Sequence, residues 1–355
     1  MAKHASQLRP ALFFALLLLI APLSTTWGQS DSTAGAPKPL GQLVDIGGWR
    51  LHLVGQGTNQ AQGPTVILES GAGGFSFDWS LVQPRVATFA RVYAYDRAGS
   101  AWSELGPRPH TMHQTVYELH TLLQRAGVTG PYVLVGASYG GILMRLFAQQ
   151  YPAEVAGLVL VDSGLENSLK YVNGKPTRAA DISPRPIPAV QKTATAEDRQ
   201  LAQTPEARQF LDEVLAKSGI QLKRPTLNPA YQKLPESARQ LRLWASSRYE
   251  YYAANDNHFE IDELALLLQY QKAHPQYLKA IPLIVLTKGP GNASDTDSAE
   301  QERKQAQAAL TGLSSNSKQV IAHQSGHHIE VDDPDRVIEA IREVVEAVRH
   351  PRTLK

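Results

Sequence analysis

Residues 132–147 read YVLVGASYGGILMRLF and carry the most specific structural signal in the chain. Gly136, Ser138 and Gly140 form the pattern G-x-S-x-G; the apolar run before it predicts a buried strand and the run after it a helix. Such a sharp turn holds the serine in a strained conformation, and a Cβ at either glycine would collide with neighbouring backbone. We therefore expect Ser138 to stand exposed at a helix N-terminus, where partial positive charge favours a developing anion.

The chain around this turn alternates short apolar runs with longer helical patterns. Strands are predicted over residues 49–55, 65–69, 91–95, 132–136, 157–162, 281–287 and 319–323, and helices over 111–126, 140–151 and 335–348. This alternation predicts an α/β fold, with a mostly parallel sheet and helices on both faces. Residues 164–280 offer no convincing strand. They carry helical patterns over 206–218, 235–254 and 260–273 and are expected to form a helical cap inserted between strands.

The amino-terminal segment is typical of a secretory signal peptide. Lys3 and Arg9 precede an unbroken apolar run over residues 11–21 that Pro22 closes. As a helix this run rises about 16 Å, too short for a bilayer core of about 30 Å. Cleavage is predicted after Gly28, and the alternative is an uncleaved anchor helix. The mature chain is expected to be exported to the periplasm or the extracellular space, with no integral membrane segment.

The predicted division of the chain follows from these patterns. It comprises a signal peptide (1–28), a flexible leader (29–40), the first part of the core (41–163), the cap (164–280) and the second part of the core (281–355). The 355 residues are 43% hydrophobic and 19% charged, which is typical of a globular protein. The net charge of +2 comes from 35 basic and 33 acidic residues, and Lys3 and Arg9 account for the excess. A neutral mature chain argues against nucleic acid as a partner. The lack of cysteine excludes disulfides and thiol chemistry.

Three further motifs accompany the serine turn in a fixed order. Residues 69–74 read ESGAGG, residues 95–99 read YDRAG, and residues 325–327 read SGH. From about residue 41 to 348, the chain resembles the α/β-hydrolase superfamily, and most closely its capped, serine-nucleophile bacterial branch. Many relatives open the glycine-rich loop with His-Gly, whereas this chain has Ser70-Gly71. The resemblance implies a hydrolase that needs no cofactor and no metal. Epoxide hydrolases and dehalogenases are disfavoured, because their nucleophile is Asp where this chain has Ser138.

A serine hydroxyl needs a base to take its proton, and His327 is the predicted base. It follows Gly326 after the last predicted strand, in the loop where the superfamily places its histidine. His328 is the neighbour to test as a control. The competing interpretation is a metal site formed by His323, His327 and His328, which no carboxylate at suitable spacing supports.

The base needs a carboxylate that fixes its tautomer, and Asp162 is the predicted acid. Asp162 ends the predicted strand 157–162, at the sheet edge where function concentrates in parallel sheets. Asp295 and Asp297 are the alternatives, since they follow the later strand, but they lie in a polar run expected to be mobile. Asp96 is expected to pair with Arg97 or to cap a loop.

Two N–H donors are needed to hold the oxyanion of a tetrahedral intermediate. The residue after the nucleophile, Tyr139, supplies one, and Ala72 in the glycine-rich loop supplies the other, with Gly73 as the near alternative. Together these residues predict a serine hydrolase that cleaves a small-molecule acyl substrate, most simply a carboxylic ester. An aminopeptidase or amidase on the same triad stays open, because Glu250, Glu260, Asp262 and Glu263 could bind a substrate amine. A binding protein on an inactive hydrolase scaffold is the alternative outside enzymes.

Overall fold

An eight-stranded sheet forms the centre of the computed structural model, which describes residues 36–57, 63–172, 174–217, 219–222, 225–254, 257–289 and 297–354. The strands are β1 (Gln42–Asp45), β2 (Arg50–Gln56), β3 (Thr65–Glu69), β4 (Val92–Tyr95), β5 (Tyr132–Ala137), β6 (Val155–Val161), β7 (Lys170–Val172), β8 (Lys175–Thr177), β9 (Leu283–Lys288) and β10 (Ser317–Ala322). The order in the sheet is β1-β2-β4-β3-β5-β6-β9-β10, and β7 and β8 pair separately. β2 is antiparallel to β1 and β4, whereas the other neighbours are parallel, so the predicted mostly parallel sheet is confirmed.

Helices flank the sheet and follow most of its strands. They are α1 (Gln83–Val86), α2 (Met112–Arg125), α3 (Tyr139–Gln150), α4 (Ala196–Gln200), α5 (Pro205–Lys217), α6 (Glu236–Ser246), α7 (Tyr249–Ala253), α8 (Glu260–Ala273), α9 (Asp297–Ala309), α10 (Ile329–Asp332) and α11 (Pro334–Arg349). Short 3-10 turns lie at Ser76–Trp79, Pro152–Glu154, Ala179–Asp181, Leu201–Gln203, Pro229–Tyr231 and Leu310–Leu313. Asp333 begins α11 as its N-cap, with its side chain accepting a hydrogen bond from the Arg336 N–H. Within the described ranges, no helix combines the length and the apolar character that crossing a membrane requires.

The two faces of the sheet are buried against different helices. Along β5, Leu134 belongs to the cluster that contains Phe147 of α3, whereas Val133 and Val135 belong to the cluster that contains Val344 of α11. A strand that is buried on both faces needs apolar residues at every position. This requirement explains why the continuous apolar runs over β3, β5, β6 and β9 are visible in the sequence.

Several elements differ from the sequence prediction. β1 was not predicted, and the expectation that residues 164–280 contain no strand is wrong because β7 and β8 form a hairpin. These strands have three or four residues, too few for an alternating pattern to emerge. The predicted helix over 235–254 is two helices, α6 and α7. The polar run expected to be mobile forms α9 from Asp297 onward, a helix without an apolar stripe.

Candidate active site

Ser138 lies between β5 and α3 in a conformation that few residues adopt. Its φ is 50° and its ψ −120°, outside the regions that L-residues favour. The backbone fixes this turn from both sides: Ser138 N–H donates to Val161 O (3.0 Å), and Gly164 N–H donates to Ser138 O (2.7 Å). A Cβ at Gly140 would lie 2.5 Å from Glu69 O, and one at Gly136 would lie 2.5 Å from Gly140 O. Glycine is therefore required at both positions, as the motif predicts.

The structure brings together the three residues that the sequence singled out as nucleophile, base and acid. Ser138 Oγ lies 2.9 Å from His327 Nε2, and His327 Nδ1 lies 2.6 Å from Asp162 Oδ2. The Asp162 side chain is 3% exposed and that of His327 is 46% exposed. A buried carboxylate against one ring nitrogen leaves the other nitrogen to accept the serine proton. This arrangement can carry out acyl transfer by a serine nucleophile.

Asp162 is held at the carboxyl end of β6 by a rigid turn. Its φ is 37°, and its N–H donates to Leu286 O on the neighbouring strand (2.8 Å). The residues after it are clamped to α3 by Arg145, whose buried guanidinium donates to Gly164 O (2.6 Å) and pairs with Glu166. The acid therefore stands on a fixed backbone, which is what a catalytic carboxylate needs.

Asp295 and Asp297 are the two alternative carboxylates for the role of the acid. Asp295 lies outside the described residues. Asp297 is the first residue of α9. A different residue of α9, Arg303, donates from Nη1 to Asp162 Oδ1 (3.0 Å). Arg303 was not predicted from the sequence. The available signal was the spacing of Glu300 from Arg303 and Lys304, three and four positions later, which is typical of a polar helix and forms ion pairs here.

The glycine-rich loop after β3 lies beside the serine. A Cβ at Gly71 would be 3.3 Å from Ser138 Cβ and 3.9 Å from Ser138 Oγ. Arg97 holds the loop from the other side, since its guanidinium donates to Ser70 O (2.8 Å) and Gly71 O (2.5 Å). The same guanidinium pairs with the buried Glu69 (2.5 Å). Arg97 thus fixes the direction of two loop carbonyls, a role that the sequence analysis did not assign.

Of the two expectations for Asp96, pairing with Arg97 is wrong, whereas the capping of a loop agrees with the structure. Asp96 is fully buried and lies 2.7 Å from His52 Nδ1, and it also accepts a hydrogen bond from Ser76 N–H (2.7 Å). Arg97 turns instead to Glu69 and the glycine-rich loop. Adjacent residues of an extended segment point to opposite sides, so a neighbouring acid and base seldom pair with each other there.

Of the two residues predicted as oxyanion donors, Tyr139 directly follows Ser138 and Ala72 directly follows Gly71, which lies beside Ser138. Tyr139 is the first residue of α3, so its N–H belongs to a helix N-terminus without an intrahelical acceptor. Ala72 is exposed and directly follows Gly71. The Gly73 carbonyl accepts a hydrogen bond from the Tyr251 hydroxyl of α7 (3.2 Å), which ties this loop to residues 164–280.

His328 has surroundings different from those of His327. Its Nδ1 lies 3.2 Å from Glu330 Oε1 and 3.4 Å from the Tyr231 hydroxyl. Burial disfavours the charged imidazole, but the hydrogen bond and the charge of Glu330 outweigh burial and raise the pKa of His328. The proposed metal site at His323, His327 and His328 is not formed: across the described part of the chain, no three His, Asp or Glu residues are grouped so that they could hold a metal ion.

The four carboxylates considered for binding a substrate amine each have a partner in the protein. The Asp262 carboxylate pairs with Arg185 (2.7 Å), Glu260 with Lys170 (2.9 Å), and Glu250 with Arg248 (3.4 Å). Glu263 accepts hydrogen bonds from the Met112 and His113 N–H groups and contacts the His113 ring. Glu263 thereby caps the N-terminus of α2. The three carboxylates of α8 thus connect this helix to Lys170, to Arg185 and to α2.

Comparison with known proteins identifies the family. The family model described as the alpha/beta hydrolase family matches residues 66–340, from β3 to α11. The chain belongs to the alpha/beta hydrolase family. This hydrolase is 24% identical over 297 residues to an AB hydrolase superfamily protein from Gibberella zeae, covering 81% of this chain and 87% of the relative. It is 31% identical over 149 residues to the probable transporter efuK from Hormonema carpetanum, a match that spans 41% of this chain and 20% of that protein.

Solved structures with the same fold include an esterase and an epoxide hydrolase. A thermophilic esterase from Thermogutta terrifontis has a TM-score of 0.54 and 22% identity, covering 86% of this hydrolase and 99% of the esterase chain. The epoxide hydrolase CorEH has a TM-score of 0.54 and 18% identity, covering 87% and 99%. At these identities the likeness shows the alpha/beta-hydrolase fold alone. The reaction has to be argued from the residues at the site.

Proposed function

We propose that this hydrolase cleaves small carboxylic esters through an acyl-enzyme intermediate. The observation that carries the proposal is the hydrogen-bonded series from Ser138 Oγ through the His327 ring to Asp162. The nucleophile at this turn is a serine, whose hydroxyl can be acylated, whereas epoxide hydrolases have an aspartate there.

The reaction proceeds in two halves that use the same groups. Ser138 Oγ attacks the ester carbonyl carbon while His327 Nε2 takes the hydroxyl proton, and Asp162 stabilises the resulting imidazolium. The tetrahedral intermediate collapses when His327 returns the proton to the leaving alcohol. A water molecule then attacks the acyl group with His327 again as the base, which releases the carboxylic acid and regenerates Ser138.

The N–H groups of Ala72 and Tyr139 are the proposed oxyanion donors. In a trans peptide, the carbonyl and the following N–H point in opposite directions. Because Arg97 holds the Gly71 carbonyl, the Ala72 N–H of the same peptide unit points away from Arg97. Arg97 also lies 5.8 Å from the centre of the Tyr139 ring, so it is close to the side chain of the second proposed donor residue as well.

An ester substrate is favoured over the N-terminus of a peptide. An aminopeptidase needs an uncommitted carboxylate that binds the substrate ammonium group. Glu250, Glu260, Asp262 and Glu263 each have a partner within the protein, which supports the ester over this alternative. An inactive binding scaffold is disfavoured because Ser138 Oγ lies within hydrogen-bond distance of its proposed base, His327.

Residues 164–280 are proposed to act as the cap over this site. Two contacts support this role. Tyr251 of α7 reaches the Gly73 carbonyl, and Arg242 of α6 pairs with the buried Asp78 in the turn after the glycine-rich loop. The apolar surroundings of that loop include Phe75, which packs against the Tyr251 ring (5.2 Å between centroids). Phe75 is fully buried, so this contact packs the proposed cap against the loop.

Export is proposed from residues 1–28, which lie outside the described residues. The basic flank and short apolar run support a cleaved signal peptide and a mature chain in the periplasm or outside the cell. Sequencing the amino terminus of the protein from its native host tests this proposal. A start near Gln29 is expected, whereas a start at Met1 in the cytoplasmic fraction would contradict it.

Substrate panels test the activity. The purified mature chain is assayed with p-nitrophenyl esters of increasing acyl length and with aminoacyl anilides, and Ser138→Ala serves as the background control. The proposal expects ester hydrolysis that Ser138→Ala abolishes. Faster cleavage of the anilides would favour an aminopeptidase, and no turnover of either class would contradict an ester hydrolase.

A further inference from the structure

The two oxygens of the Asp162 carboxylate have different partners. Oδ2 contacts the His327 ring (2.6 Å). Oδ1 accepts hydrogen bonds from the Lys288 N–H (3.1 Å) and from Arg303 Nη1 (3.0 Å). Two short contacts therefore connect a full positive charge to the ring that is proposed to be the base.

Arg303 is itself held by a carboxylate one turn away on α9. Its Nε donates to Glu300 Oε2 (2.9 Å) and its Nη2 to Glu300 Oε1 (2.6 Å), a two-pronged pair that fixes the plane of the guanidinium. The hydrogen bond from Arg303 is the main cause that lowers the pKa of Glu300 to about 2, so Glu300 is charged throughout the pH range in which histidine titrates. The series of charges runs from Glu300 through Arg303 and Asp162 to His327.

We propose that Arg303 and Glu300 are a pair of positioning residues that set the basicity of His327 through Asp162. The positive charge of Arg303 offsets part of the negative charge with which Asp162 stabilises the His327 imidazolium. The negative charge of Glu300 in turn offsets part of the charge of Arg303. The proposal rests on the proposed function and adds the residues that set the pH range in which the site works.

The direction of each effect follows from charge. A positive charge near an imidazole disfavours its protonated form, and a negative charge favours it. Removing Arg303 should let His327 take up a proton at higher pH. Removing Glu300 leaves the charge of Arg303 uncompensated, so His327 should stay neutral to lower pH. Opposite shifts from two neighbouring residues are not expected of a pair that only supports the fold.

Other charged groups face this series and are retained in all variants. His327 faces Asp162, the Ser138 hydroxyl and the ring of His328, which is 5.3 Å away and paired with Glu330. Glu300 faces the Lys288 ammonium (4.0 Å) and the Lys304 ammonium (3.8 Å) in addition to Arg303. Both lysines weaken the charge of Glu300, so the shift for Glu300→Gln should be the smaller one.

The test compares Arg303→Gln, Glu300→Gln and the charge-retaining Arg303→Lys. Titration of the histidine ring is followed by NMR in protein carrying ¹³C-labelled histidine, and His327→Gln identifies the His327 signal. Lys318→Gln is the matched control: it removes the same charge, but Lys318 lies four residues before the end of β10, about 13 Å along the strand and beyond the screening length. The pH profile of kcat/KM on the best ester is measured on the same proteins.

The His327 midpoint should rise by about half to one pH unit in Arg303→Gln, given partial screening by solvent, and fall by a smaller amount in Glu300→Gln. Arg303→Lys and Lys318→Gln should stay near the wild type, and the acidic limb of kcat/KM should follow the NMR midpoints. An unchanged midpoint in Arg303→Gln, or shifts of the same sign in both neutral variants, would overturn the proposal. The NMR measurement needs no turnover, so a protein without esterase activity would overturn the proposed function while this result still decides the role of Arg303.

Discussion

The Asp162 carboxylate lies 2.6 Å from Nδ1 of His327, although 165 residues separate the two in the chain. Asp162 follows β6 and His327 follows β10, with β9 between these strands in the sheet. Parallel strands bring their carboxyl ends to one edge, and there the two side chains meet.

Asp162→Asn should reduce kcat by about 10⁴-fold, the size of the loss that an amide in place of the triad acid causes in serine proteases. An amide cannot fix the His327 tautomer that leaves Nε2 free to accept the proton. Asp295→Asn and Asp297→Asn are the matched controls and should keep near wild-type rates. Melting temperatures are measured beside the rates; a folded, active Asp162→Asn together with an inactive Asp297→Asn would move the acid to the later strand.

Gly140→Ala should damage both the fold and the activity. The new Cβ would lie 2.5 Å from Glu69 O and 2.7 Å from Ser70 O, and both are backbone atoms. A loss of about 1–3 kcal/mol in the free energy of unfolding is expected, with lower kcat because the serine turn has to shift. Urea denaturation measures the loss. Gly312→Ala, where nothing lies within 4 Å of the new Cβ, should change stability by less than about 1 kcal/mol. Equal effects at the two glycines would contradict the steric explanation.

Arg97→Met should leave the buried Glu69 without its ion pair. Such a change costs about 3–5 kcal/mol of unfolding free energy, because a charge stays buried without compensation. Arg97→Met combined with Glu69→Gln should recover part of that loss. The kcat of this double variant should stay low, because the Ser70 and Gly71 carbonyls still lack the hydrogen bonds from Arg97. A double variant that regains full activity would show that Arg97 does not position the loop.

His328 should stabilise the fold in a pH-dependent way. Its folded-state pKa is raised, so the stability from its pair with Glu330 is full below the unfolded-state pKa and lost as pH rises through the folded-state value. The difference in Tm between wild type and His328→Gln should therefore be larger near pH 5.5 than near about pH 8.5. The opposite trend would mean that His328 is neutral in the folded protein.

The elements that could be predicted from the sequence are those whose own residues show a clear apolar or glycine pattern. The runs at β3 and β5 are apolar throughout because both faces are buried, and the glycines around Ser138 are there because a Cβ does not fit. α9 was not recognised because its residues are polar on every side. Arg303 could not be found either, since its contact with Asp162 spans 141 residues and depends on how α9 lies against the sheet.

Labelling with a fluorophosphonate probe tests whether Ser138 is an activated nucleophile, because the probe reacts with a serine only when a base has activated it. The mature chain is incubated with the probe, and peptide mass spectrometry locates the adduct in wild type, Ser138→Ala and His327→Gln. We expect one adduct per chain, on Ser138. The adduct should be absent from Ser138→Ala, and its formation should be strongly slowed in His327→Gln. An unlabelled wild type, or an adduct that persists in Ser138→Ala, would contradict it.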